Sequence, residues 1–203
     1  MDKISEHIIE QCRKGNPEAF VQIVRRYERP LFAYVYRLGL TSPPREPEDV
    51  AQEIFIKAYQ GIGSYKKRRD CSFGTWLFSI ARNHCMSLMR RKKLEHRVIR
   101  VLDTGDMDAF SGSEMCPFEA ISRKEAAEHV TAAMAMLPEV MKSAFLLRYY
   151  QDMSYEQIAH VLECSIGTVR SRLARAKKAI QNQLQKSVSK RGDTEHETGN
   201  VYL

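Results

Sequence analysis

A chain of 203 residues with a net charge of +7 has room for one or two small domains, and its 43% apolar content excludes wholesale disorder. The excess of cations suits an acidic macromolecule as partner. Five cysteines at positions 12, 71, 85, 116 and 164, with no C-x-x-C pair, exclude a disulfide framework and argue against a zinc site.

His160 and Cys164 stand one helical turn apart with no second ligand pair nearby, so no metal and no other cofactor is expected. Met1–Glu10 is too polar for a signal peptide, and no apolar run is long enough to cross a bilayer. The expectation is a cytoplasmic protein without membrane insertion.

In chain order, Asn16 and Pro17 read as an N-cap and a first-turn proline. The stripe Phe20, Ile23, Val24, Tyr27, Leu31, Tyr34 and Leu38 predicts a helix that Pro30 should kink or locally break. Thr41–Pro47 is a proline-rich loop. Glu48 or Asp49 should open the next helix, which Gly61–Ser64 ends. Val50, Ala51, Ile54, Phe55, Ala58 and Tyr59 share one half of it, and Asp49, Gln52, Glu53, Ile56 and Gln60 share the other. A lone exposed isoleucine is common. Framed by two acids and two amides, Ile56 has the makeup of a small docking site.

From Lys66 to Lys93 there are nine basic residues and one acid, Asp70. Lys66, Lys67, Arg68 and Arg69 form a loop cluster with Tyr65 and Phe73 on either side. A helix should begin near Thr75, with Leu77, Ile80, Ala81, His84, Cys85 and Leu88 inward. Trp76, Ser79, Asn83, Met86, Ser87 and Arg90 line its other side, and Arg90, Arg91, Lys92 and Lys93 close it. Cations interleaved with exposed rings suit single-stranded nucleic acid, where charge tracks the backbone and rings stack on bases. The plainer alternative is that Phe73 and Trp76 are core residues.

Leu94–Cys116 loses its periodicity and reads as a linker. Helices are expected over Ala120–Met136 and Glu139–Tyr150, separated at Leu137–Pro138. Ser154–Lys178 then has the pattern of a helix-turn-helix. Ser154 and Gln157 have capping-box spacing, and Glu163–Cys164–Ser165 forms the turn. Val169, Leu173, Ala176 and Ile180 make the inner face of the second helix. Gly167, Arg170, Ser171, Ala174, Arg175 and Lys178 make its outer face. From Cys164 to Arg191 there is no acid, the one-sidedness expected of a phosphate-facing helix. After about Lys186 the chain is polar and expected to fray. The fold class is therefore all-α: two small helical domains, 10–93 and 118–186, joined by a flexible linker, 94–117, with a polar tail, 187–203.

Asp49–Val50–Ala51–Gln52–Glu53 with Phe55, then Thr75–Trp76–Leu77 and Ile80–Ala81–Arg82–Asn83, resembles region 2 of bacterial RNA polymerase sigma factors. Leu137–Pro138–Glu139, Ser154–Tyr155–Glu156–Gln157–Ile158–Ala159 and Gly167–Thr168–Val169–Arg170–Ser171–Arg172 resemble region 4. Both regions in a chain of this length resemble the extracytoplasmic-function (ECF) group of the sigma-70 family.

The resemblance implies an alternative sigma factor that binds core RNA polymerase, recognises two promoter elements and promotes strand opening. Asp49, Gln52, Glu53, Ile56 and Gln60 would contact the clamp-helix coiled coil of the largest polymerase subunit. Tyr65, Lys66, Lys67, Arg68, Arg69, Phe73, Trp76, Arg82, Asn83, Arg90 and Arg91 would bind the −10 element. There Asn83 would probe a flipped non-template base, whose capture offsets the cost of unstacking. Thr168, Arg170, Ser171, Arg172, Arg175 and Lys178 would read the −35 element as duplex.

The Lys66–Asp70 loop is more basic than the short loop usual in the group, which leaves open which loop side chains form the base pocket. An anti-sigma factor is the regulator the resemblance implies. The competing reading is a helix-turn-helix activator or repressor acting on duplex DNA without replacing sigma, for which the Tyr65–Lys93 stretch has no use. No cluster of carboxylates, His or Cys has the spacing of an active site, so an enzyme is not expected.

Overall fold

In the computed structural model, residues 4–40, 46–67, 71–102 and 130–197 are described, with only the backbone for 95–102 and 186–197. The elements among them are all helical. The first, α1 (Glu6–Arg13), was not expected from the polar N-terminal sequence. Ser5 Oγ accepts from the Ile8 N–H at 3.3 Å, and Ile9 and Cys12 are buried one turn apart. Two apolar residues were enough once a cap and a neighbouring helix were supplied.

Helix α2 (Pro17–Leu38) is capped by Asn16, whose Oδ1 accepts from the Glu18 N–H at 3.0 Å, and stops at Gly39 with φ 92°. Its stripe is buried as expected, with Val24 half-buried. Pro30 does not break it. Leu31, Tyr34, Val35 and Leu38 beyond the proline are all at most 2% exposed. At roughly 1.5–3 kcal/mol for each large apolar side chain, their burial outweighs the ~3 kcal/mol that an internal proline costs.

Helix α3 (Pro47–Gly61) begins one residue earlier than expected, because Pro47 fits the first turn and the Glu46 N–H donates to Asp49 Oδ2 at 3.4 Å. A 3₁₀ turn over Ile62–Ser64 follows. Helix α4 (Phe73–Leu102) starts two residues before Thr75 and runs on past Lys93. The sequence from Leu94 to Leu102 contains no glycine or proline to stop it, so the expected linker at 94 gives way to helix. The remainder of the linker, through Cys116, lies outside the described residues.

In the second unit, residues 130–135 (α5) are the described part of the expected Ala120–Met136 helix. Helix α6 (Glu139–Tyr149) starts where expected and ends one residue early, with Tyr150 as its C-cap. Helix α7 (Tyr155–Leu162) has its capping box: the Gln157 N–H donates to Ser154 Oγ at 3.3 Å, and the Ser154 N–H donates to Gln157 Oε1 at 2.9 Å. Glu163, at φ 50°, ends it. Helix α8 (Ile166–Glu197) opens with Ser165 Oγ accepting from the Thr168 N–H at 3.1 Å. It continues beyond Lys186, where a frayed tail was expected; no proline interrupts it.

Within the first unit α2 packs on α1, α3 and α4; within the second, α6, α7 and α8 pack together. The two units also dock on each other, α2 against α6 and α4 against α7, so the apolar core is continuous across both. The seam is polar as well as apolar. Tyr34 Oη and Ser143 Oγ share a 2.7 Å hydrogen bond, and Gln151 Nε2 donates to the Pro30 carbonyl at 3.3 Å. The Arg37 guanidinium lies 4.4 Å above the Tyr150 ring. Burial pushes the Tyr34 phenol far above its ordinary range, so its hydroxyl stays protonated at any working pH.

Candidate polymerase and promoter faces

The α3 face comes out as the sequence divides it. Val50, Ala51, Ile54, Phe55 and Ala58 are buried, whereas Tyr59, expected with them, is 40% exposed at the rim. Asp49, Gln52, Ile56 and Gln60 reach solvent, with Ile56 56% exposed. Glu53 differs from its neighbours: a carboxylate oxygen lies 2.7 Å from His84 Nε2 of α4, and the side chain is half-buried. It ties α3 to α4 as well as bordering the exposed face.

The rings at the start of α4 are not arranged as expected. Tyr65 and Phe73 are 3% and 4% exposed, so neither presents a face for a base to stack on. The 3₁₀ turn folds the chain back, and the Tyr65 carbonyl accepts from Arg13 Nη2 of α1. Tyr65, Phe73 and Trp76 form a mutual cluster with ring centroids 5.3–5.5 Å apart, and Tyr27 adds a fourth ring 5.9 Å from Phe73. Gly74 lets Tyr27 in, since a Cβ there would lie 3.1 Å from Tyr27 Oη. Of the three rings, Trp76 alone is half-exposed.

Lys66 and Lys67 are exposed, and Lys67 Nζ is 2.7 Å from Glu6 Oε2, tying the loop to α1 and lowering the Glu6 pKa chiefly through that hydrogen bond. Arg68 and Arg69 lie outside the described residues. Further along α4, Arg82 is half-buried and Asn83, Arg90 and Arg91 are exposed. Asn83 is held at both ends. Its Oδ1 accepts from Arg82 Nη1 at 2.8 Å, and its Nδ2 donates to Glu163 Oε1 at 3.3 Å. The second partner belongs to the helix-turn-helix, a contact that nothing in the local sequence pattern announces.

On α8, Val169, Leu173, Ala176 and Ile180 are buried, and Gly167, Arg170, Ser171, Ala174, Arg175 and Lys178 are exposed. Thr168 is half-buried at the helix start, where its Oγ1 shares a 2.9 Å hydrogen bond with Ser165 Oγ. Arg172 departs from this group: half-buried, it turns back so that Nη1 donates to Cys164 Sγ at 3.5 Å. Tyr155 is a residue the sequence reading missed. Its ring lies beneath two cations, Arg148 at 5.5 Å and Arg170 at 6.0 Å, which links the first helix of the motif to an outward arginine of the second.

Among the described residues, no helix is long and apolar enough to cross a membrane, and no group of three or more His, Cys, Asp or Glu is placed to hold a metal ion.

The model of Sigma-70 region 2 matches residues 23–95, and that of Sigma-70, region 4 matches 119–180. The RNA polymerase sigma-H factor of Pseudomonas aeruginosa is 34% identical, over 89% of this chain and 93% of its own. The ECF RNA polymerase sigma-E factor of Escherichia coli is 33% identical, over 88% and 93%. Among solved structures, the sigma factor RpoE of Bartonella quintana in complex with the anti-sigma factor NepR aligns with a TM-score of 0.65 and 25% identity, covering 82% of this chain and 96% of that one. With both regions matched in order and relatives aligned along nearly their whole length, the chain belongs to the sigma-70 family of RNA polymerase sigma factors, in its extracytoplasmic-function group.

Proposed function

We propose that the exposed face of α3, with Ile56 at its centre and Asp49, Gln52, Glu53 and Gln60 around it, docks on the clamp helices of core RNA polymerase. The outer side of α4, with Trp76, Arg82, Asn83, Arg90 and Arg91, engages the −10 element as it opens. The loop cations Lys66 and Lys67 assist there, while Tyr65 and Phe73 support Trp76 from below. The outer side of α8, with Thr168, Arg170, Ser171, Arg175 and Lys178, reads the −35 element in the major groove.

The observation that carries this reading is α8 itself. Its Val169, Leu173, Ala176 and Ile180 are turned inward, Gly167, Arg170, Ser171, Ala174, Arg175 and Lys178 on its outward side are small or basic, and its sequence has no acid before Asp193. A partner of uniform negative charge is what such a face suits. An anti-sigma factor is the regulator, a role supported by the aligned Bartonella complex.

Run-off transcription from a promoter library, with purified core polymerase and with or without this chain, tests the reading. Initiation confined to a subset of promoters, and dependent on the chain, is the expected result. A folded chain that directs no initiation refutes it, and tight duplex binding without polymerase would instead favour an activator or repressor.

A further inference from the structure

Two polar side chains of α1 reach one short stretch of the chain, 65–67, which leads from the 3₁₀ turn into the basic loop. Arg13 forks there. Its Nη1 donates to Glu10 Oε2 of the same helix at 3.3 Å, and its Nη2 donates to the Tyr65 carbonyl. Two turns earlier in α1, Glu6 Oε2 accepts from Lys67 Nζ at 2.7 Å. That ion pair is exposed and holds the loop only weakly, whereas the arginine contact is part-buried.

Tyr65 is the C-cap of the turn Ile62–Ser64, and its N–H donates to the Ile62 carbonyl at 3.2 Å. Past that point the backbone is extended, so the Tyr65 carbonyl has no N–H of a further helical turn to meet it. The Arg13 guanidinium supplies the donor. With its backbone held there, the Tyr65 ring lies 3% exposed, 5.3 Å from Phe73 and 5.5 Å from Trp76. Trp76 also rests on the start of the turn, where a Cβ on Gly61 would lie 3.6 Å from its Cζ2. The seat of the Trp76 ring is thus built largely from 61–65, and α1 fastens it.

Trp76 is the half-exposed ring of the cluster, the one turned toward the −10 element in the function proposed above. A ring that stacks on an unpaired base works only if the residues behind it lock its rotamer. Resting on that promoter reading, we propose that Arg13 is a positioning residue for −10 engagement: through the backbone and ring of Tyr65 it fixes Trp76 for stacking on a base of the opened strand. Its own side chain need not touch DNA.

Trp76 is the only tryptophan in the sequence, so its emission reports this seat directly. Arg13→Met keeps the apolar stem and removes the guanidinium. Arg13→Lys restores one donor, and Lys14→Ala removes the same charge from the next, exposed residue. In the full-length chain without polymerase, Arg13→Met should shift the emission to longer wavelength with helicity unchanged, while Arg13→Lys and Lys14→Ala emit as wild type. In run-off transcription with core polymerase, Arg13→Met should initiate about tenfold less, the share of one stacked base, and Arg13→Lys should recover most of that loss. In a Trp76→Ala background, Arg13→Met should lose less than about twofold further. Affinity for core polymerase should stay at the wild-type value throughout.

A tenfold loss that persists in the Trp76→Ala background, or an equal loss in Lys14→Ala, overturns the proposal, as does wild-type emission from Arg13→Met. Tyr65→Leu, which leaves the backbone contact and takes the ring away, should reproduce both the emission shift and the loss of initiation. Wild-type behaviour of Tyr65→Leu overturns the proposal whether or not Arg13→Met folds. Failure of the wild-type chain itself to initiate refutes the promoter reading instead, and the emission result then still decides whether Arg13 holds Trp76.

Discussion

Tyr34→Phe removes one oxygen from the seam between the two units and leaves the ring contacts in place, including the edge-on packing against Phe78 at 5.4 Å. Tyr34 and Ser143 are each 1% exposed, and their hydroxyls are 2.7 Å apart, the ordinary length of an O–H···O bond. Losing that bond costs about 1 kcal/mol net, and the stranded Ser143 hydroxyl adds roughly 1 kcal/mol more. Tyr34→Phe should therefore lose about 2 kcal/mol. Ser143→Ala strands the Tyr34 hydroxyl and should lose a similar amount.

The double variant strands nothing and should lose under ~1 kcal/mol, so the two positions should couple by about 3 kcal/mol or more in a double-mutant cycle. Urea unfolding followed by far-UV circular dichroism reads this directly. At a slope of about 2 kcal/mol per molar, each single variant should move the midpoint down by about 1 M. Single variants that unfold with wild type, or a double variant that loses the sum of the singles, would refute the reading of this bond as a buried, mutually satisfied pair.

Ser154→Ala should remove one half of the α7 capping box and cost about 1 kcal/mol, read as a lower melting temperature; no change would mean that solvent replaces the cap. Gly74→Ala should cost roughly 1–2 kcal/mol, because Tyr27 is 3% exposed and cannot give way to a Cβ only 3.1 Å from its hydroxyl. An unaltered urea midpoint would show that the ring moves freely. Ile56→Asp should leave stability within about 0.5 kcal/mol yet weaken binding to core polymerase by about tenfold or more; unchanged affinity would remove Ile56 from the docking face.

Lys142, 8% exposed, donates to the Ala135 carbonyl at 3.4 Å, and burial pulls its pKa down. With the folded value below the unfolded one, the ammonium is disfavoured in the fold at every pH below the folded pKa. That penalty fades as pH climbs toward the unfolded value of about 10.4. Lys142→Met should thus raise the melting temperature at neutral pH, by a margin that shrinks toward about pH 10. A margin that stays constant across that range would be the contrary result.

The helices were legible where one face is apolar along its length. The inner faces of α8 and, apart from Tyr59, of α3 could be written down from helical spacing, because burial there is decided by neighbours three and four residues away. What periodicity cannot register is a residue whose environment comes from afar. Tyr65 and Phe73 flank a basic loop and look exposed in sequence. They are buried because α1, a helix too short to signal itself, and Tyr27 of α2 close over them. Pro30 reads as a breaker, and the packing of the next two turns overrides it. Glu163 reads as a turn residue and no more, because its partner Asn83 is 80 residues away. The basic outer sides of α4 and α8 were thus visible in the sequence, and the contact between Asn83 and Glu163 was not.

The seam has a consequence for synthesis. Tyr34 must wait for Ser143, 109 residues later in the chain, before its hydroxyl has a partner. At about 5–20 residues per second that wait is roughly 5–20 s. Throughout it, the sides of α2 and α4 that α6 and α7 will cover face solvent or whatever the ribosome's surroundings offer. A nascent first unit is therefore both sticky and open: its apolar flank invites a holding chaperone, and its cationic helix is free to meet nucleic acid before the rest of the protein exists to shield it.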